Sequence, residues 1–130
     1  MKRELSITTE SIDEPALAAR RSASSGMGAA VYFTGMVRVT EAGQPIQALD
    51  YEVFRTMAER QFHLIFDEAE RRWPVESIRL VHRVGRVLVG ETSLWIELVA
   101  PHRGEAFAAC QFVIDEMKRR VPIWKKAVAV

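Results

Sequence analysis

Cysteine is nearly absent from this 130-residue chain, and Cys110 is the only one. A lone thiol closes no disulfide within its own chain, and Cys110 falls in the apolar phase of a predicted helix, so it reads as a packed core residue. No two histidines or cysteines stand at metal-ligand spacing, no glycine-rich segment has the phosphate-cradling pattern, and no serine sits in a Gly-x-Ser-x-Gly elbow. Metal-dependent hydrolysis and serine chemistry are disfavoured, and no metal or cofactor is expected. Also missing is any apolar run of the roughly 18 residues that a membrane helix needs. Met1-Lys2-Arg3 is followed by Glu4, Ser6 and Thr8 rather than by the apolar core of a leader, so a cytoplasmic location is expected. With a formal net charge of +1 there is no bulk attraction to nucleic acid or to a membrane, and any anion site has to be local.

What the chain does contain is a globular composition. Apolar residues make up 48% and charged residues 27%, which predicts a single folded domain over residues 1–130. Leu5–Thr8 reads as a short strand and Asp13-Glu14-Pro15 as a helix start capped by Asp13. A small-residue loop over Ser22–Gly28 follows. Ala29–Val39 and Ile46–Phe54 are strand-like and read as a hairpin around Glu41-Ala42-Gly43-Gln44. From Thr56 the period becomes helical, with Met57, Phe62, Ile65, Phe66, Ala69 and Trp73 on one face until Pro74. Ile78–Val81, Arg86–Val89 and Thr92–Val99 are read as an antiparallel meander. A last helix begins near Glu105 and carries Ala106, Cys110, Val113 and Met117 inward. Antiparallel strands with helices between them indicate the α+β class.

Basic residues gather at structural transitions. Arg38 ends a strand, and His102-Arg103 stands just ahead of a helix, where free backbone N–H donors favour a phosphate or carboxylate. Lys118 follows Cys110 and Ile114 at steps of four, placing it at the edge of the apolar stripe with its stem against the core and its amine free to face a cleft. Pro122 ends the helix, so Lys125 and Lys126 leave its axis and can fold back toward Lys118. His82 reads as a satisfied sheet residue, and His63, with Glu59 and Asp67 at steps of four, as surface charge pairing.

The ordered segments resemble a known family, the large catalytic subunit of molybdopterin synthase (the MoaE family). They are Gly28-Ala29-Ala30-Val31 through Phe33-Thr34-Gly35-Met36-Val37-Arg38, Leu49-Asp50-Tyr51-Glu52, Met57-Ala58-Glu59, Glu68-Ala69 through Arg72-Trp73-Pro74, His82-Arg83-Val84-Gly85, Pro101-His102-Arg103 with Ala106-Phe107, and Asp115-Glu116-Met117-Lys118 through Pro122-Ile123-Trp124-Lys125-Lys126. The resemblance implies an α/β hammerhead fold and a homodimer that binds a small ubiquitin-like subunit at each end to make a heterotetramer. It implies that cyclic pyranopterin monophosphate receives two sulfurs from the thiocarboxylated Gly-Gly terminus of that small subunit. By the same resemblance Arg38, His102 and Arg103 hold the anionic pterin, with Met36, Val37 and Lys126 beside them, and Lys118 and Lys125 stand at the carbon that accepts sulfur. A buried lysine among other cations loses proton affinity, which suits Lys118 either as an acid–base group or as an amine nucleophile.

One departure stands out. Where the family pattern continues with a glutamate and about twenty further residues, this sequence has Ala127-Val128-Ala129-Val130, so no carboxylate is expected to balance Lys125. The alternative function on that account is a non-catalytic binding or scaffold homologue that lost turnover with the shortened tail.

Overall fold

The computed structural model describes residues 1–130, built as eight strands and three helices. One sheet orders β1 (Lys2–Thr8), β5 (Ser77–Arg83), β7 (Thr92–Ala100) and β2 (Ala29–Met36) side by side. In the other, β4 (Gln44–Val53) pairs with β6 (Gly85–Leu88) on one side and β8 (Ile123–Ala129) on the other, and two-residue β3 (Thr40–Glu41) folds back on its start. The helices are α1 (Glu14–Ala19), α2 (Arg55–Arg72) and α3 (Arg103–Arg120). The α+β class expected from the sequence is the one observed.

The core lies between the first sheet and the two long helices. Alternate residues Ile78 and Leu80 of β5 and Leu94, Ile96 and Leu98 of β7 face Ala58, Phe62, Ile65, Phe66 and Ala69 of α2 and Ala106, Ala109, Cys110, Val113 and Met117 of α3. The helical stripes are thus as the periodicity predicts, except that Ala58 rather than Met57 turns inward and Met57 is 57% exposed. Trp73 takes extended backbone ahead of Pro74 and ends α2. Burial pushes the Cys110 thiol up to about 11, which leaves it protonated and unreactive at neutral pH.

Three expectations about strand pairing are corrected. The hairpin between Ala29–Val39 and Ile46–Phe54 forms only at its tip, where β3 pairs with the start of β4 and the Ile46 amide donates to the Val39 carbonyl at 2.9 Å; the body of β2 pairs with β7 and that of β4 lies in the second sheet. The meander is broken because β6 crosses to β4; Gly85 and Gly90, at φ 81° and 87°, give the chain the left-handed turns that let it leave and return. The first sheet is mixed rather than antiparallel, because β1 runs parallel to β5. His63 lies beside Arg3 rather than pairing along its own helix, and Asp67 is taken by the same arginine at 2.6 Å.

On the sheet face away from the core, Glu4, Arg79, Glu97 and Tyr32 stand in register across all four strands. Arg79 grips Glu97 through two hydrogen bonds of 2.7 Å, lies over the Trp95 ring, and donates to the Leu17 carbonyl of α1. Burial raises the Glu97 pKa, but hydrogen bonds from Arg79 and Tyr32 outweigh it and hold the carboxyl below its ordinary range. Its stabilising effect is therefore present at neutral pH and is lost as pH falls through that depressed value. We expect Glu97→Gln, which leaves the buried Arg79 with only its longer ion pair to Glu4 at 3.8 Å, to cost about 1.5–3 kcal/mol in denaturant melts at pH 7, with the gap to the parent narrowing toward acid pH. A loss under about 1 kcal/mol would show that the pair is not what fixes this face.

Candidate active site

Helix α3 carries cations at both ends. Its N-terminus is set by a close backbone approach: the Gly28 amide donates to the Pro101 carbonyl at 3.0 Å, and a Cβ on residue 28 would lie 2.6 Å from that oxygen. This contact fixes the turn out of β7, after which His102 caps α3 with extended backbone and Arg103 opens it. Both side chains are exposed beside the free N–H groups of the first turn, and His102 Nδ1 lies 3.5 Å from Glu105.

At the other end the last turn holds Lys118, Arg119 and Arg120. Arg119 is paired with Glu116 at 2.7 Å, and Arg120 is bound by Glu68 and Glu116. Lys118 takes no carboxylate partner and is exposed. The sequence argument had it desolvated among cations. In the single chain it is not, so any desolvation has to come from a second molecule closing over it.

Past Pro122 the chain becomes strand β8, where the sequence predicts only that the helix stops and the lysines leave its axis. It runs antiparallel to β4, with Lys125 opposite Tyr51 and Lys126 opposite Asp50. Neighbouring strand residues face opposite sides, so the two lysines do not share a surface. Lys126 joins the face on which Arg86 forks onto Asp50 at 2.9 and 3.0 Å. Lys125 meets Glu41 at 3.2 Å, which corrects the expectation that nothing balances it. Met36, the last residue of β2, is 63% exposed, and Arg38 just beyond it is exposed. Val37 is buried with its amide and carbonyl both engaged, to Glu91 and Gly90, so it anchors its two neighbours and offers a ligand nothing of its own.

These residues fall into two groups. Lys125 lies opposite Tyr51, whose ring meets His82 edge-on; His82 pairs with Leu94, and Leu94 with Gly35, so Lys125 belongs to the Met36–Arg38 end of the first sheet. Helix α3 leaves the Ala100 end and packs back over β2 and β7, which carries Lys118 toward that same end. His102 and Arg103 stay at the far end, about 24 Å from Lys118 at ~1.5 Å of rise per residue. No small ligand spans that distance within one chain. Two cavities of about 650 and 320 Å³ lie against β1 and β5 and include none of these residues.

The fold and this paired arrangement define an α+β protein with two separated cationic stations on one helix. The sequence model of the family described as MoaE protein matches residues 7–120. A molybdopterin synthase catalytic subunit from Nostoc sp. is 43% identical over 103 residues, a match covering 78% of this chain and 62% of that relative, less than two thirds of its length. Among solved structures, molybdopterin synthase from Staphylococcus aureus superposes with a TM-score of 0.87 at 33% identity, covering 96% of this chain and 90% of that one. A molybdopterin biosynthesis MoaE protein from Burkholderia ambifaria gives 0.83 at 36% identity, covering 98% and 89%. The chain belongs to the MoaE protein family.

Gly28 and Glu41 escaped the sequence reading, in which both were loop or turn residues. We expect Gly28→Ala to cost about 1–3 kcal/mol in stability, because its Cβ meets backbone rather than a yielding side chain. It should also shift the amide resonances of His102 and Arg103. Parental stability with those resonances unmoved would show that the close approach does not position the pair.

Proposed function

We propose that this chain is the catalytic subunit of a molybdopterin synthase, transferring sulfur from a thiocarboxylated ubiquitin-like small subunit to cyclic pyranopterin monophosphate to form the dithiolene of molybdopterin. The observation that carries this reading is the unpaired Lys118 amine, set at the same end of the molecule as Arg38 and Lys125 while its helix neighbours are neutralised. An anionic pterin is matched by planar guanidinium donors, which hold phosphate with paired hydrogen bonds, and the family resemblance gives that part to Arg38 and Arg103. His102 adds a donor able to move a proton.

The separation along α3 dictates how these parts combine. Two copies of the chain, related by a two-fold axis, set His102 and Arg103 of one against Arg38, Lys118 and Lys125 of the other, giving two equal sites per homodimer. Closure by the second copy and by the entering Gly-Gly tail then supplies the desolvation that the single chain lacks. Glycine suits that tail because backbone without side chains fits a narrow channel. No sulfur source stands in the chain itself, its one thiol being buried and protonated.

The test is incubation with the thiocarboxylated small subunit and the cyclic pterin, with mass analysis of the product. We expect the parent to form the dithiolene, and Lys118→Ala to abolish it while the dimer stays folded. Lys118→Arg should fail as well, since arginine keeps the charge but does not give up its proton. Full turnover by the arginine variant would reduce Lys118 to a fixed charge. A parent that docks the small subunit without forming product would instead support a non-catalytic homologue.

A further inference from the structure

We propose that Glu41 is a positioning residue for Lys125, holding its amine where the sulfur-transfer site needs it; this inference rests on the function proposed above. The contact is a long-range one built by three features of the fold. On β4 the ladder partners of the two residues, Gln44 for Glu41 and Tyr51 for Lys125, lie far apart, so a straight strand keeps the side chains out of reach. The register of β4 against β8 shifts between Ile46 and Ala48, and a bulge of this kind bends the strand that carries it. Gln47, the residue in the gap, ties the bend to β8 by donating to the Ala129 carbonyl at 2.7 Å. At the hairpin tip Ala42 and Gly43 are both left-handed, at φ 51° and 78°, the pattern of a tight two-residue turn. The tip itself is exposed, and the turn is set by the antiparallel pairing on either side of it, Thr40 with Pro45 and Glu41 with Gln44.

The result is a carboxylate 28% exposed, 3.2 Å from the amine of a lysine 50% exposed. An ion pair this open contributes little to folding. Its consequence is local: a lysine on the edge of a sheet samples many rotamers, and a carboxylate on a fixed turn selects among them. Lys126, one residue on, faces the opposite side and has no part in this contact.

The experiment compares the full chain with Glu41→Gln, Glu41→Asp, Lys125→Met and the Glu41→Gln/Lys125→Met double variant, assayed with the thiocarboxylated partner. Glu41→Gln should lower kcat on the order of tenfold by misplacing a reacting group, with KM for the pterin and the melting temperature near parental values. Glu41→Asp should recover part of the loss, and Glu41→Gln should cost nothing further once Lys125 is gone. Parental kcat in Glu41→Gln, or losses that simply multiply in the double variant, would overturn the proposal. A melting temperature lowered equally with and without Lys125 would overturn it too, because that is the mark of a structural role. A second reading needs no turnover: peptide-mapped amine acetylation should be several-fold faster at Lys125 in Glu41→Gln and unchanged at Lys126. If the parent forms no dithiolene, the functional reading has failed and the labelling alone decides this one, with equal labelling rates at Lys125 refuting it.

Discussion

An α-helix of 18 residues is about 27 Å long, and the rigidity of α3 is the constraint from which the rest of this molecule's chemistry follows. The helix is pinned along its length by Ala106, Ala109, Cys110, Val113 and Met117 against the first sheet, so its two ends cannot approach each other. Whatever the N-terminal station of His102 and Arg103 does, it does far from Lys118 of the same chain. A small substrate that needs both stations needs two chains. In the proposed function a dimer is therefore a requirement of the site rather than an addition to it.

Electrostatics sharpen the same picture. The chain is close to neutral overall, and most of its arginines near the site are already answered: Arg119 and Arg120 by Glu116 and Glu68, Arg86 by Asp50. Against that background Lys118 stands out on its own helix turn, because Arg119 and Arg120 beside it both have carboxylate partners and it has none. Lys125 occupies a middle position, paired with Glu41 but still half open to solvent.

Much of this was legible in the sequence, for reasons that differ from element to element. The stripes of α2 and α3 were readable because helix burial repeats every three or four residues along the chain, and Phe62, Ile65, Phe66, Val113 and Met117 follow that repeat. The stops at Pro74 and Pro122 were readable because proline acts on its own neighbourhood. Strand partners were not, since alternation shows that β2, β4 and β6 are strands but not which edge each will find; Gly85 and Gly90 announce turns without saying that the chain changes sheets between them. β8 was not legible because Pro122 marks only where the helix stops, and it is the open edge of β4 that makes the residues after it a strand. Of the candidate site, Arg38, His102, Arg103, Lys118 and Lys125 are named by the sequence and its family resemblance, while Gly28 and Glu41 enter only through contacts in the fold. Their parts come from contacts with Pro101 and Lys125, distant in the chain, and no local pattern carries such information.

The claim on which this account turns is that each site draws on two copies of the chain, and co-expression of Lys118→Ala with Arg103→Ala, differently tagged, tests it directly. Each variant alone should be nearly inactive. In a dimer of one with the other, one site combines both lesions and the second combines neither, so random pairing should restore about a quarter of parental dithiolene formation, carried by the doubly tagged species. Failure of that purified mixed dimer to turn over, with the parent active beside it, would place Lys118 and Arg103 in the same protomer's site and contradict the account.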